Sequence, residues 1–214
     1  MLFLNQTSVL AFVSMLVLGT LYKLGDMRKT FPQTATILFK GAATSVAGAL
    51  ALYAAIVHGG AYAWWIAAGL FLCAVADMVL EKHFIGGMVV FALGHVAYIL
   101  AFLSQGSLTP GVLALYAALV AFVFYMAHVM HKKTGKTTLH LALYGVVIGL
   151  MAALAVPQRP AATVGAILFV FSDSLIAYRI LVRPSRLNDL LCIILYYLGQ
   201  FLLGYSALLN AMGV

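Results

Sequence analysis

The stretch GAILFVFSDSLIAYR, Gly165 to Arg179, sets one carboxylate, Asp173, inside an apolar run long enough to cross a membrane. A charge in hydrocarbon costs on the order of a few kcal/mol and needs a chemical reason to be there. The rest of the chain makes the setting plain: 65% of its 214 residues are hydrophobic, 8% are charged, and the mean hydropathy is +1.10. Such a composition excludes a soluble globular domain. Apolar runs recur at about residues 4–22, 34–57, 62–80, 84–104, 109–130, 138–156, 161–182 and 188–212, each of spanning length. The reading is an all-α polytopic bundle of eight transmembrane helices. Residues 1–214 form a single integral membrane domain, with no room for a soluble one.

The prolines and the basic residues support the count independently. Pro32, Pro110, Pro157, Pro160 and Pro184 fall between runs or in a first turn, where a missing N–H is tolerated. Lys23, Arg28 and Lys29 follow the first run rather than precede it, the opposite of a secretory signal, so that run is read as a retained helix. Lys82, Lys132, Lys133, Lys136, Arg179, Arg183 and Arg186 join those three on alternate loops, with Arg159 alone on the other side. The bias puts both termini outside the cytoplasm. It also explains the net charge of +7, through anionic headgroups, so no nucleic-acid partner is called for. Short loops without a targeting extension suit a bacterial inner membrane, with an intracellular eukaryotic membrane as the alternative.

Cys73 and Cys192 lie inside predicted spans and read as packing residues rather than half-cystines. The six histidines (His58, His83, His95, His128, His131 and His140) show no metal-ligand spacing, so no metal is expected.

Three ionisable residues lie within spans: Lys40 on the second helix, Asp77 on the third and Asp173 on the seventh. Counted at 1.5 Å per residue from the cytoplasmic end of the second helix for Lys40, and from Lys82 and Arg179 for the two aspartates, all three sit roughly 7–10 Å below the cytoplasmic surface. Asp173, with no basic residue within four positions, reads as the more enclosed acid, and Asp77 as the one nearer water. His95, Tyr98, Ser172, Ser174, Tyr196, Tyr197 and Gln200 fall in the same zone or slightly deeper. These groups describe an interior cavity opening to the cytoplasmic leaflet. The structural alternative is a buried Lys40–Asp77 pair that fixes helix register, with tyrosines and glutamine as interhelical glue. For Tyr196, Ser174 and the two cysteines that alternative is the better reading.

The sequence also echoes itself. GLFLCAVAD and GAILFVFSD both place Gly eight residues before Asp, and the helices that follow carry FALGH and YYLGQ. Helices 1–4 and 5–8 then read as parallel repeats, with Asp77 and Asp173 equivalent about a pseudo-axis.

GLFLCAVADMVL, FIGGMVVFALGHVAYILAF, GAILFVFSDSLIAYRIL and ILYYLGQFLL, in this order and spacing, resemble the YhhN family of eight-helix membrane proteins, whose characterised members are lysoplasmalogenases. The likeness covers about residues 40–205. It matches Asp77 and Asp173 to the family's two intramembrane aspartates, and Lys40, His95, Tyr98, Ser172, Tyr197 and Gln200 to its other recurrent polar positions. Two positions depart from the pattern: Ala76 stands where the family usually has Gly, and Gly41 where it often has Pro. The resemblance implies hydrolysis of the vinyl-ether bond of a lysoplasmalogen, giving a fatty aldehyde and a glycerophospho-alcohol. Its substrate is thus a lysophospholipid within the membrane, with no cofactor and no obligate protein partner implied.

The residue types suit that chemistry. A vinyl ether is cleaved by protonating its outer carbon and adding water to the resulting oxocarbenium ion, which asks for one general acid and one general base. Two carboxyl groups in one low-dielectric pocket divide those roles, one keeping its proton and the other its charge. Asp173 is assigned as acid and Asp77 as base. Lys40 is placed at the substrate phosphate, and His95, Tyr98, Tyr197 and Gln200 at the glycerol oxygens or the water. Among the rivals, an intramembrane aspartyl protease would show GxGD, where this chain has VADM and FSDS. A proton-coupled transporter would use the same acids as carriers but would break its helices near mid-membrane. A lipid-binding scaffold would survive loss of either acid.

Overall fold

The computed structural model describes residues 6–134, 136–183 and 185–213, apart from the side chains of 130–137. The start of the first predicted run, Pro184, and the side chains of His131, Lys132, Lys133 and Lys136 therefore lie outside the described residues. The helices are α1 (Gln6–Arg28), α2 (Gln33–His58), α3 (Ala61–Leu80), α4 (Phe84–Leu103), α5 (Pro110–Thr134), α6 (Lys136–Ala155), α7 (Pro160–Leu181) and α8 (Arg186–Ala211). Each is long and apolar enough to cross a membrane. In hydrocarbon a chain must satisfy its backbone polar groups internally, and helices do so within each segment. The described prolines take the places the sequence assigned them: Pro110 and Pro160 open α5 and α7, Pro32 directly precedes α2, and Pro157 lies between α6 and α7. The tight link between α2 and α3 rests on Gly59 and Gly60, whose φ angles of 77° and 94° favour glycine.

Six helices form a ring in the order α2, α3, α4, α6, α7, α8, with α3 and α8 also touching across it. Outside the ring, α1 packs on α2 and α8, and α5 packs on α6 and α7. Close approach within the ring depends on small residues. A Cβ at Gly94 on α4 would lie 3.2 Å from the Gly69 carbonyl oxygen on α3, and one at Gly69 would lie 3.0 Å from the Gly94 oxygen. The same reciprocal crossing joins α7 to α8: a Cβ at Gly165 would lie 3.0 Å from the Gly199 oxygen, and one at Gly199 would lie 2.9 Å from the Gly165 oxygen. Backbone cannot move aside as a flexible side chain can, so these crossings fix how α3 and α7 are held. Those two helices carry the aspartates.

Candidate functional site

Asp77 is on the last turns of α3 and is 2% exposed. Its Oδ2 accepts Thr44 Oγ1–H from α2 at 2.6 Å and the Tyr196 phenol from α8 at 2.7 Å. Its Oδ1 lies 4.0 Å from Lys40 Nζ. Lys40 itself, 7% exposed on α2, bonds Glu81 Oε1 at 2.6 Å, and its ammonium sits 5.4 Å above the Tyr22 ring of α1. Two hydroxyl donors and a cation therefore surround Asp77, each of which favours negative charge there.

Asp173 is in different company. Tyr144 on α6 donates its O–H to Asp173 Oδ2, and Tyr144's oxygen is 2.8 Å from His95 Nε2 on α4. No cation pairs with Asp173 among the described residues. It is half-buried where Asp77 is fully enclosed. This reverses the sequence reading of which acid is more enclosed, and the reason is lateral: depth along a helix says nothing of which neighbours close over a side chain. Asp77 has α2 and α8 pressed against it, whereas Asp173 borders open space.

That space has two parts. A polar cavity of about 230 Å³ is lined by both aspartates, Lys40, Glu81, Tyr196 and Ser172, among others. An apolar cavity of about 480 Å³ extends among α5, α6 and α7 and the facing ends of α3 and α4. Leu80, Phe84, Phe91, Asp173 and Ile176 line both, so Asp173 stands at the junction and Asp77 on the polar side alone.

The remaining sequence candidates fall in three groups. Lys40 and Ser172 reach the polar cavity, Lys40 with its ammonium already paired to Glu81 and Ser172 donating to the Cys192 carbonyl at 3.0 Å. His95, Tyr98 and Gln200 are fully buried behind the cavities, with Tyr98 donating to Gln200 Oε1 at 2.9 Å. Tyr197 turns away toward α1 and α2, its ring against Gly19 and its hydroxyl 3.4 Å from the Lys40 carbonyl. Sequence reasoning passed over Thr44, Glu81, Tyr22 and Tyr144, and it took Tyr196 for glue. Spacing held the signal for two of them: Thr44 is one turn past Lys40 on the same face of α2, and Glu81 one turn past Asp77 at the end of α3. Among the described residues no three His, Cys, Asp or Glu side chains converge as a metal site.

With this geometry in view, likeness to known proteins becomes informative. Lysoplasmalogenase TMEM86B of Rattus norvegicus is 32% identical over 156 residues, which cover 72% of this chain and 66% of the rat protein. The Mus musculus protein of the same name is 30% identical over 158 residues, 73% of this chain and 69% of its own length. A lysoplasmalogenase homolog of Dictyostelium discoideum is 41% identical over a shorter stretch of 68 residues, 30% of this chain and 22% of that protein. The matched stretch thus spans about two thirds of the mammalian relatives. No solved structure matches the chain. The model of the YhhN family matches residues 35–207, a stretch that includes both aspartates and their hydroxyl partners, and this chain belongs to that family.

Proposed function

We propose that this protein hydrolyses the vinyl-ether bond of a lysoplasmalogen within the membrane, with Asp173 as general acid and Asp77 as general base. The observation that carries the reading is the position of Asp173 at the junction of an apolar and a polar cavity. A single-chain ether lipid has that shape: the alkenyl chain suits the larger cavity, the glycerophospho headgroup the smaller, and the reactive double bond lies between them. The mammalian relatives' names point to the same substrate.

The protons balance over one turnover. Asp173 gives its proton to the outer alkene carbon, whose π electrons form the new C–H bond and leave an oxocarbenium ion. Water adds to the inner carbon as Asp77 takes its proton, giving a hemiacetal. The hemiacetal hydroxyl then returns a proton to Asp173 while Asp77 protonates the departing glycerol oxygen, and the C–O bond breaks. Aldehyde and alcohol leave, and both carboxyl groups are as they began. The hydroxyls of Thr44 and Tyr196 and the Lys40 ammonium suit a base that must hold charge between turnovers. Asp173, beside apolar groups and with no cation paired to it among the described residues, suits an acid that must hold a proton.

On the loop charges, the polar cavity opens toward the cytoplasmic leaflet and both termini lie on the far side, as in a bacterial inner membrane. The two halves read as parallel repeats within one membrane domain. The matched glycine crossings Gly69–Gly94 and Gly165–Gly199 support this, as does the pairing of α2 with α8 and of α6 with α4.

The test is turnover of a lysoplasmalogen by the purified protein in heavy-oxygen water and in deuterium oxide, with the aldehyde trapped by reduction. The mechanism puts solvent oxygen on the aldehyde carbon and one solvent deuterium on its neighbour. Absence of aldehyde refutes the substrate; aldehyde without the solvent deuterium refutes protonation at carbon.

A further inference from the structure

Asp173 is held from behind by a chain of donors that crosses two helices. The phenol of Tyr144 has one proton and directs it at Asp173 Oδ2, so its oxygen must accept from His95, 2.8 Å away, and Nε2 carries the imidazole proton. That tautomer leaves Nδ1 bare, and Nδ1 is the His95 atom without a partner. A buried acceptor is easier to leave unpaired than a buried N–H, so the tautomer is the less costly one. Phe169 sets its ring nearly perpendicular to the imidazole, at 80° with centroids 4.7 Å apart, and fixes the plane of His95. Tyr144 is thus clamped at its oxygen while its ring forms wall of the apolar cavity beside Asp173.

We infer that Tyr144, braced by His95, is the positioning residue of this acid: it holds the carboxyl plane so that Oδ1 faces the cavity, and it stabilises Oδ2 as the proton leaves. The inference rests on the vinyl-ether reading above. In the ground state Oδ2 is the carbonyl oxygen of a neutral acid and accepts an ordinary hydrogen bond. When the O–H bond at Oδ1 breaks, its electron pair stays on the carboxylate and the charge spreads over both oxygens. The Tyr144 bond then becomes charge-assisted and stronger, the kind of gain that lowers a barrier. Tyr144 keeps its own proton throughout, and His95 stays neutral.

Tyr144→Phe keeps the ring and removes the donor. The expected result is a kcat lower by about 10- to 100-fold, the worth of a hydrogen bond to a charged group, with KM little changed. A second readout is independent of turnover: the infrared carbonyl band assigned to Asp173 by its loss in Asp173→Asn should move to higher wavenumber in Tyr144→Phe. A merely structural tyrosine would not move that band. Should Tyr144→Phe fail to fold, the pair His95→Gln and His95→Leu decides, because the Gln amide can donate where Nε2 does and Leu cannot. Gln should keep most of the activity and Leu should lose about tenfold or more. Wild-type kcat in Tyr144→Phe, an unmoved band, or equal activity of the two His95 variants overturns the inference while leaving the hydrolase reading intact. No aldehyde from the wild-type protein would instead overturn that reading and the inference with it.

Discussion

Asp77→Asn separates chemistry from architecture. The amide keeps the size of the carboxylate, and its oxygen can still receive Thr44 and Tyr196, which now meet Oδ2 at 2.6 and 2.7 Å. The amide nitrogen then occupies the place of Oδ1, 4.0 Å from Lys40 Nζ. The attraction lost at that distance is about 1–4 kcal/mol for effective dielectric constants between those of water and a protein surface. Against it stands relief from burying a full charge at a residue 2% exposed, a term of opposite sign and similar size. Lys40 keeps its 2.6 Å bond to Glu81. The fold should therefore survive, with a melting temperature within a few degrees of wild type. Activity should not survive, because the amide has no lone pair basic enough to take a proton from water. Loss of a general base costs about 10²- to 10⁴-fold, or about 3–5 kcal/mol on the barrier. Aldehyde release in detergent measures the activity, and exposure of the buried thiol of Cys73 on heating measures the melting temperature. A folded Asp77→Asn protein with activity within about tenfold of wild type would refute Asp77 as the base.

Three further outcomes follow from the packing. Lys40→Met should destabilise by about 1–3 kcal/mol, less than for a fully buried pair because Glu81 is 31% exposed, and adding Glu81→Gln should recover part of the loss in a thermal melt. Gly199→Ala drives a Cβ to 2.9 Å from the Gly165 oxygen and should cost about 1–3 kcal/mol, read as an earlier melt, with activity falling because α7 and α8 carry Asp173 and Tyr196. Ala152→Phe fills part of the apolar cavity; if it displaces about two methylenes at about 0.8 kcal/mol each, KM for a long-chain substrate should rise about tenfold while a short-chain one is unaffected.

The eight helices were legible because in lipid hydropathy and length leave little else to choose, and the structure ends most of them near the predicted boundaries, although α1 runs on to Arg28, well past the predicted end at residue 22. The zone holding Lys40, Asp77 and Asp173 was legible too, since an ionisable group inside a span stands out against apolar neighbours. What the sequence hides is azimuth. Tyr197 and Tyr196 are adjacent, share a depth and have the same chemistry, yet one reaches Asp77 and the other packs on α1. Helical rotation of about 100° per residue separates them, and only the neighbouring helices say which direction is inward. Tyr144 escaped for a related reason: a lone tyrosine in an apolar helix looks like any packing residue until α7 is set beside α6. Lys40 shows the limit of reading charge as function: the sequence set it with Asp77 or with a substrate phosphate, whereas its ammonium bonds Glu81 at 2.6 Å, a residue that reading passed over.

The two acids differ more than their matching sequence contexts would suggest, and the difference lies in what each half lends the other. On the proposed repeat, FALGH and YYLGQ correspond, so Phe91 on α4 and Tyr196 on α8 hold equivalent places. Tyr196 gives Asp77 a hydroxyl at 2.7 Å. Phe91 has none to give Asp173; it stacks edge-on against Phe169 and Tyr196 and lines both cavities at their junction. The change from Tyr to Phe at one equivalent position thus gives the first carboxyl group a donor and the second an apolar wall. Lys40 reinforces the contrast, since its ammonium lies near Asp77 and no cation among the described residues pairs with Asp173. An acid and a base cannot be alike if each is to start the cycle in its own protonation state. On the proposed repeat and mechanism, a duplicated frame would supply the two carboxyl groups, and its departures from symmetry would let them do opposite things to one substrate.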